Sequence, residues 1–311
     1  FTLVKIISIV HIQNVSNHYS MSISRQNLSI VIVTLRSENI IDRCLTSINQ
    51  DIPIIIVENS NNVKFKEYLE SKYKNLKCIL SGSNLGMGAG NNIGIKTATT
   101  DYVYILNPDT VLETNSLNEI FLASKKISNF SILSPINSNI NYPNYKINKN
   151  QKKPHEKDVP FKVDYIDGFS MLLNKKKFKD NNYFDENFFL YLENNDLCLR
   201  VKKKGENIFI IPSASIKHQG ASTVDLKFKE EVELSRNWHW IWSKFYFNKK
   251  NFSFFKAIKV TLPSFISSII KLFFYTIIFN NYKRKIYLNR SSGFCNALLG
   301  KSSWYRPKIS D

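Results

Sequence analysis

The chain has 311 residues, 43% of them hydrophobic, enough for one large core or two small ones. Its 22 Phe and 15 Tyr exclude intrinsic disorder over most of the length, although the abundance of Lys, Asn, Ile and Phe fits an A/T-rich genome and carries little functional weight. A formal charge of +18 attracts phosphates of any kind and does not choose among nucleic acid, anionic lipid and a nucleotide.

The first twelve residues are apolar but short, with no convincing cleavage site after them. Phe1–Ser20 is therefore expected to lie upstream of a start at Met21, and residues 1–27 to be an extension. Leu28–Thr34 (LSIVIVT) is a β-branched run that predicts a buried strand. A helix over Glu38–Asn49, a second strand at Pro53–Val57, a charged helix over Phe65–Tyr73 and a third strand at Leu76–Leu80 follow. A glycine-rich loop, Ser81–Gly90, leads into a helix over Asn91–Ala98. A fourth strand, Tyr102–Leu106, stops at Asn107-Pro108-Asp109. This alternation predicts an α/β fold with a mostly parallel sheet and helices on both faces, and a ligand at the carboxyl ends of its strands.

Asn137–Lys162 is polar and proline-containing and reads as a long loop over that edge. Order returns at Tyr165–Leu173, Phe184–Arg200 and a strand at Asn207–Ile211. Val224–Phe247 is expected to be helical. Phe252–Phe279 is apolar but holds Lys256, Lys259, Pro263 and Lys271, with Lys283-Arg284-Lys285 beyond. Two readings stand level: an interfacial segment on an anionic membrane, and a helix pair packed on the catalytic domain. A spanning helix ranks third. The other lysine clusters, at Lys152–Lys153, Lys175–Lys177 and Lys202–Lys204, read as solvated faces. Cys44, Cys78, Cys198 and Cys295 form no metal-ligand spacing and suit buried thiols in a reducing cytoplasm.

Four segments could carry chemistry. A carboxylate just past a buried strand, as at Asp109, can hold a hard cation that also takes phosphate oxygens; an ordinary Asx turn would look the same. The loop Asn84–Asn92 lets backbone approach a ligand. It lies too late for a dinucleotide fingerprint, because the first strand is followed by Leu35-Arg36-Ser37-Glu38 without glycine, and no Gly-Lys-Ser/Thr closes a P-loop. In Phe188–Arg200, Glu193 and Asp196 share a helix face and Asp196 can pair with Arg200; one carboxylate could take a proton from a hydroxyl, or the group could be a plain surface ion pair. His218 could complete a metal shell or be a satisfied polar residue.

Together LSIVIVT, IIIVENS, SNLGMGAGNNIGI, YVYILNPDT, YIDGFSMLLNKKKF, FFLYLENNDLCLRVKKKG and IKHQGAS resemble, in order over Leu28–Ser222, the family-2 glycosyltransferases of GT-A fold, in particular the rhamnosyltransferase-like branch. SRNWHWIWSKFYF and GFCNALLGKSSWYRP are similar to that branch's C-terminal region. The resemblance implies a GT-A catalytic domain over 28–222 and a helical region over 223–311, whose membrane association stays open between the two readings above. It implies metal-dependent, inverting transfer of a hexosyl or deoxyhexosyl group from a nucleotide-diphosphate sugar to a glycan or polyprenyl-linked glycan, in cell-surface polysaccharide or O-antigen synthesis. The expected place is the inner face of the plasma membrane, with no nucleic-acid partner. Thr34, Glu58 and Asn59 would meet the nucleoside. Asn84, Asn91 and Asn92 would line base and ribose. Asn107 and Asp109 would grip Mg²⁺ or Mn²⁺ and the diphosphate, with His218 joining them, and Gly168 and Phe169 would border the sugar.

The chain departs from the pattern at Leu35-Arg36, at Glu58 and at Asn194. The last stands where the family places an acid, so Glu193, or alternatively Asp196, is the expected base. The competing readings are a catalytically impaired GT-A-like protein and a basic protein that binds polyanions or membranes with a steep salt dependence. A nucleotidyltransferase would need a glycine-rich, cationic signature at the first strand, which is missing.

Overall fold

Leu28–Thr34 forms β1, and all seven residues are buried. β-branched side chains on both faces suit a strand covered from both sides. β2 (Ile54–Glu58), β3 (Leu76–Leu80) and β4 (Tyr102–Leu106) are built alike, and β3, β2, β1 and β4 pair side by side in parallel. The structure is a computed structural model that describes residues 22–48, 51–127, 129–147, 158–220 and 226–309. The expected start at Met21, the Lys152–Lys153 pair and the end of the 216–222 motif lie outside these residues.

Three helices return the chain between the first strands: α1 (Ile41–Thr46), α2 (Val63–Lys72) and α3 (Met87–Thr97). β5 (Thr110–Leu112), α4 (Ser116–Lys126) and β6 (Ile132–Asn137) follow, then the short strands β7 (Tyr145–Lys146), β8 (Phe161–Lys162) and β9 (Tyr165–Ile166). β10 (Ser170–Asn174), α5 (Glu193–Lys203) and β11 (Ile208–His218) complete the sheet region. Among the described residues the main sheet has nine strands in the order β3-β2-β1-β4-β10-β6-β11-β5, with β8 also on β11. β10 runs antiparallel between β4 and β6. β6 and β11 run parallel again, so six strands point one way. Ile30, Ile32, Ile54 and Ile56 pack with α1, α2 and α4 on one face. Val31, Ile55, Val103 and Ile105 pack with α3 and α5 on the other.

Several boundaries differ from the expectations. The α3 helix starts at Met87, inside the supposed loop, because its glycines serve packing. A Cβ on Gly94 would sit 2.3 Å from Val31 Cγ1, and one on Gly90 2.9 Å from Val33 Cγ1. β11 runs past Ile211 to His218; Pro212 is absorbed at a register shift between Ile211 and Ser215. The 137–162 excursion is anchored where it is described. Asn144 is fully buried and bonds Ser134 and Pro135, and β7 pairs with β9. The fold also begins before Leu28, since Ile23 belongs to the core. Cys44, Cys78 and Cys198 are buried thiols, but Cys295 is exposed.

The last third is helical: α6 (Lys229–Asn251), α7 (Phe254–Ile277) and α8 (Asn281–Leu298). Trp238, Ile241, Trp242, Phe245, Ala257 and Phe294 form its own small core. α7 runs unbroken through Pro263, and only Ala257, Thr261 and Ser268 are buried on it. The helices are tied to the sheet region through the 184–200 segment. Ser243 donates to the Leu190 carbonyl (2.7 Å), and Lys250 pairs with Asp185 (2.7 Å) and Asp196 (2.9 Å).

Candidate active site

A cavity of about 520 Å³ opens at the carboxyl ends of β1, β2 and β4. Its walls come from the α3 entry, the turn after β4, the 165–169 and 189–195 segments, the end of β11 and one face of α6. Buried polar atoms almost always find a partner in a folded protein. Twelve buried side-chain atoms among the described residues lack one, and seven belong to residues that line this cavity: Asn59, Asn84, Asn91, Asn107, Asp109, Glu193 and Ser235. That concentration marks a ligand site rather than random imperfect packing.

The amides are held from behind and left open in front. Asn59 Nδ2 donates to the Gly86 carbonyl (3.1 Å) while its Oδ1 is unpartnered. Asn84 Oδ1 accepts from the Gly86 amide (3.1 Å), leaving its Nδ2 free. Gly86 has φ +84°, and a Cβ there would sit 2.2 Å from the Phe189 carbonyl oxygen. Glycine is thus required for this close approach.

Three expected binding residues are placed behind the wall instead. Thr34 and Glu58 are partners at the ends of β1 and β2, but neither lines the cavity. The Glu58 carboxylate accepts from the amides of Ser60 (2.9 Å) and Asn62 (2.7 Å) and from the Ser60 hydroxyl, closing the turn that presents Asn59. Asn92 bonds the Phe184 backbone in both directions and donates to Glu186 (2.9 Å), so it fastens the 184–189 loop to α3.

Asp109 and His218 meet because β5 and β11 are antiparallel with Thr110 opposite His218. His218 Nε2 lies 3.4 Å from Asp109 Oδ1, a buried oxygen without a hydrogen bond. The imidazole stacks on Phe169 at 4.1 Å, with 16° between the rings. Among the described residues no three His, Cys, Asp or Glu side chains gather to hold a metal. One carboxylate and one imidazole still fit a divalent ion that fills its other positions with water and substrate phosphate oxygens.

The two candidate bases part company within one helical turn. Glu193 opens α5 inside the cavity, with Oε2 unpartnered. Burial pushes its carboxyl up to about 7, against the pull of a backbone N–H. Tyr191 (φ 71°) and Leu192 (φ 68°) stand in the left-handed region just before it, a strained path that delivers Glu193 to this position. Asp196 does not line the cavity. It is fully buried, and Arg200 (2.8 Å), Lys250 (2.9 Å) and Asn251 (2.9 Å) occupy its oxygens. Asn194 donates to the Tyr165 hydroxyl and the Ile166 carbonyl, both at 3.0 Å, and an added Cβ on Gly168 would stand 3.4 Å from its Cβ.

Residues 29–187 match the family model described as glycosyl transferase family 2. The chain belongs to this family. It is 26% identical over 200 residues to a low-salt glycan biosynthesis hexosyltransferase of Haloferax volcanii, covering 58% of this chain and 64% of that protein, just under two thirds of its length. It is 21% identical over 238 residues to the N-acetylglucosaminyl-diphospho-decaprenol L-rhamnosyltransferase of Mycobacterium tuberculosis, covering 62% of this chain and 76% of the relative. A mannosyltransferase from Pyrobaculum calidifontis, solved in complex with GDP-Man and Mn²⁺, superposes with a TM-score of 0.53 over 89% of this chain and 88% of its own, at 10% identity. That likeness shows the GT-A fold.

Sequence reasoning about this family member missed one whole wall. Lys146, Tyr165, Asp167, Tyr191, Arg236 and Trp240 all line the cavity. Asp167 and Tyr165 are already engaged with each other at 2.5 Å. The closely spaced tryptophans on α6 were the available signal, but helical periodicity does not say which of them turns away from the local core.

Proposed function

We propose that this family-2 chain is an inverting glycosyltransferase that moves a hexosyl or deoxyhexosyl group from a nucleotide-diphosphate donor to a glycan hydroxyl, in cell-surface polysaccharide synthesis. The single observation that carries this reading is the convergence of unpartnered buried groups at Asn59, Asn84, Asn91, Asn107 and Asp109 on one cavity that also holds Glu193. The asparagines suit a nucleoside, whose many donors and acceptors need paired amides. Phe169 and Gly168 border the space left for the sugar. The name of the mycobacterial relative supports a lipid-diphosphate-linked glycan as acceptor class.

Glu193 would take the acceptor proton as the new oxygen–C1 bond forms and the C1–oxygen bond to the diphosphate breaks. A carboxyl held near pH 7 is poised for that role, and Asn194 positions the segment through Tyr165 and Ile166. Asp109 and His218 would hold a Mg²⁺ or Mn²⁺ ion, which when bound neutralises charge on the diphosphate. Alignment of the two substrates supplies much of the remaining rate. We assign catalysis to residues 28–222 and treat 223–311 as a helical region docked on it.

The test is a panel of UDP-, dTDP- and GDP-sugars scored by thermal stabilisation with and without Mn²⁺. At least one should raise Tm, more so with the metal, and Asp109→Ala should lose both the metal increment and Mn²⁺ binding measured directly. Binding without transfer would favour an impaired, binding-only member; no stabilisation by any nucleotide would end the reading.

We also place the protein at the cytoplasmic face of a membrane, through α7. This is the described helix long and apolar enough to cross a bilayer, and it leaves Phe255 (82% exposed), Ile270 (64%) and Phe273 (70%) uncovered. Between Leu234 and Ser310 there are fourteen Lys and Arg and no Asp or Glu. A wide apolar face set in an acid-free basic region suits a helix lying in an anionic interface. Protein that stays in the supernatant with phosphatidylglycerol vesicles at low salt would refute this placement.

A further inference from the structure

The cavity has a second wall that the donor reading leaves unused. α6 turns Val232, Ser235, Arg236 and Trp240 toward it, one helical stripe at spacings of three and four. Trp238 and Trp242 on the same helix are buried in the local core, whereas Trp240 is 44% exposed. Its indole meets the Tyr191 ring edge-on, with centroids 5.4 Å apart and 87° between the planes. Arg236 lies close enough to Tyr191 to oppose the upward shift that burial imposes on its hydroxyl.

Arg236 is half-buried yet makes no hydrogen bond or ion pair with any described residue. The arginines that reach other inner segments are all engaged: Arg36 on the Ile309 carbonyl, Arg200 on Asp196, Arg290 on Asn237 and Arg306 on the Ser303 carbonyl. The Arg236 guanidinium nitrogens are left without a partner among the described residues at the cavity wall, and a planar fork of this kind matches phosphate oxygens two at a time. An exposed indole face offers a sugar ring an apolar plane with a negatively polarised surface.

We infer that Arg236, Trp240 and Tyr191 form the acceptor half of the cavity, built for a sugar carried on a phosphate or diphosphate. The sugar stacks at Trp240 and Tyr191, within reach of Glu193 two residues along the chain, and Arg236 holds the phosphate. This rests on the transferase reading and adds to it the residues that select the acceptor. It also gives the C-terminal helices, which lie beyond the stretch matched by the family model, a direct part in the site.

The test separates the two claims. With the donor side saturated by Mn²⁺ and the nucleoside diphosphate of whichever nucleotide-sugar stabilises most in the panel above, the intact protein is titrated with farnesyl diphosphate and with farnesol. The wild type should bind the diphosphate at least tenfold tighter. Arg236→Gln should reduce that preference to about threefold or less, and Arg236→Lys should restore part of it, with Tm showing that both variants fold. An unchanged preference in both variants overturns the inference. So does farnesyl diphosphate being displaced by the nucleoside diphosphate, which would put it on the donor side. A wild type that binds no nucleoside diphosphate sinks the transferase reading itself, and this inference with it.

Discussion

The sheet half and the helical third of this molecule solve burial differently. Strands β1, β2 and β4 are buried throughout, and α3 reaches β1 only because Gly90 and Gly94 allow close approach. The helical third buries a small aromatic cluster and leaves most of α7 bare. The first region completes its own core and spends its unsatisfied groups on a ligand pocket. The second leaves apolar and basic surface exposed. They meet at the 184–200 segment, where Glu193 faces the cavity and Asp196 faces the helices.

The sharpest way to break this comparison is at that junction. Glu193→Gln should lower transfer by about 10²–10⁴-fold, measured as kcat with saturating donor. Wild-type activity should rise with pH through about 7 as the Glu193 carboxyl ionises. The stability effect runs the other way. The folded state keeps this proton up to about pH 7 while the unfolded chain releases it near the ordinary glutamate value of 4.5, so stability is lost as pH rises between them. The glutamine variant should therefore melt higher than the wild type at pH 8, as a Tm series over pH would read.

Asp196→Ala should act on stability instead of chemistry. It would leave Arg200 and Lys250 without their buried carboxylate, a loss of about 3–5 kcal/mol, visible as a lower denaturation midpoint. A variant as stable as the wild type would mean that the two halves are not joined there. Gly94→Ala probes the sheet half, where the new methyl meets Val31. Overpacking of this kind costs about 1–3 kcal/mol, again read from a denaturation curve.

The smallest effect belongs to the helical third. His239 is buried against the Tyr305 carbonyl (2.8 Å), and burial holds its imidazole down at about 4. Its contribution to stability is complete above the usual histidine value near 6.5 and fades as pH falls toward 4. Near-UV circular dichroism from the tryptophan cluster should weaken over that window, and His239→Phe should flatten the dependence.

The chain's own order of residues determined a good deal. The β-branched runs specify β1 to β4 through local preference and burial on both sides, and the order of motifs from Leu28 onward carries the family. It also placed Asn59, Asn84, Asn91, Asn107, Asp109, Gly168, Phe169, Glu193 and His218 among the candidates, and all of them line the cavity. Local pattern could not tell a side chain that touches a ligand from one that supports the wall. Thr34, Glu58 and Asn92 sit one position from residues that reach the cavity, and the partners of Glu58 and Asn92 lie in turns and loops whose path no short motif encodes.

The choice between Glu193 and Asp196 was likewise a tertiary decision. Both stand in the first turn of α5, but Lys250 and Asn251 arrive from more than fifty residues away to claim Asp196. The α6 wall needed the fold as well, because a helical stripe acquires a direction only when the rest of the chain packs against its other side. Periodicity is a property of neighbours along the chain, whereas burial and pairing depend on residues that folding brings from afar.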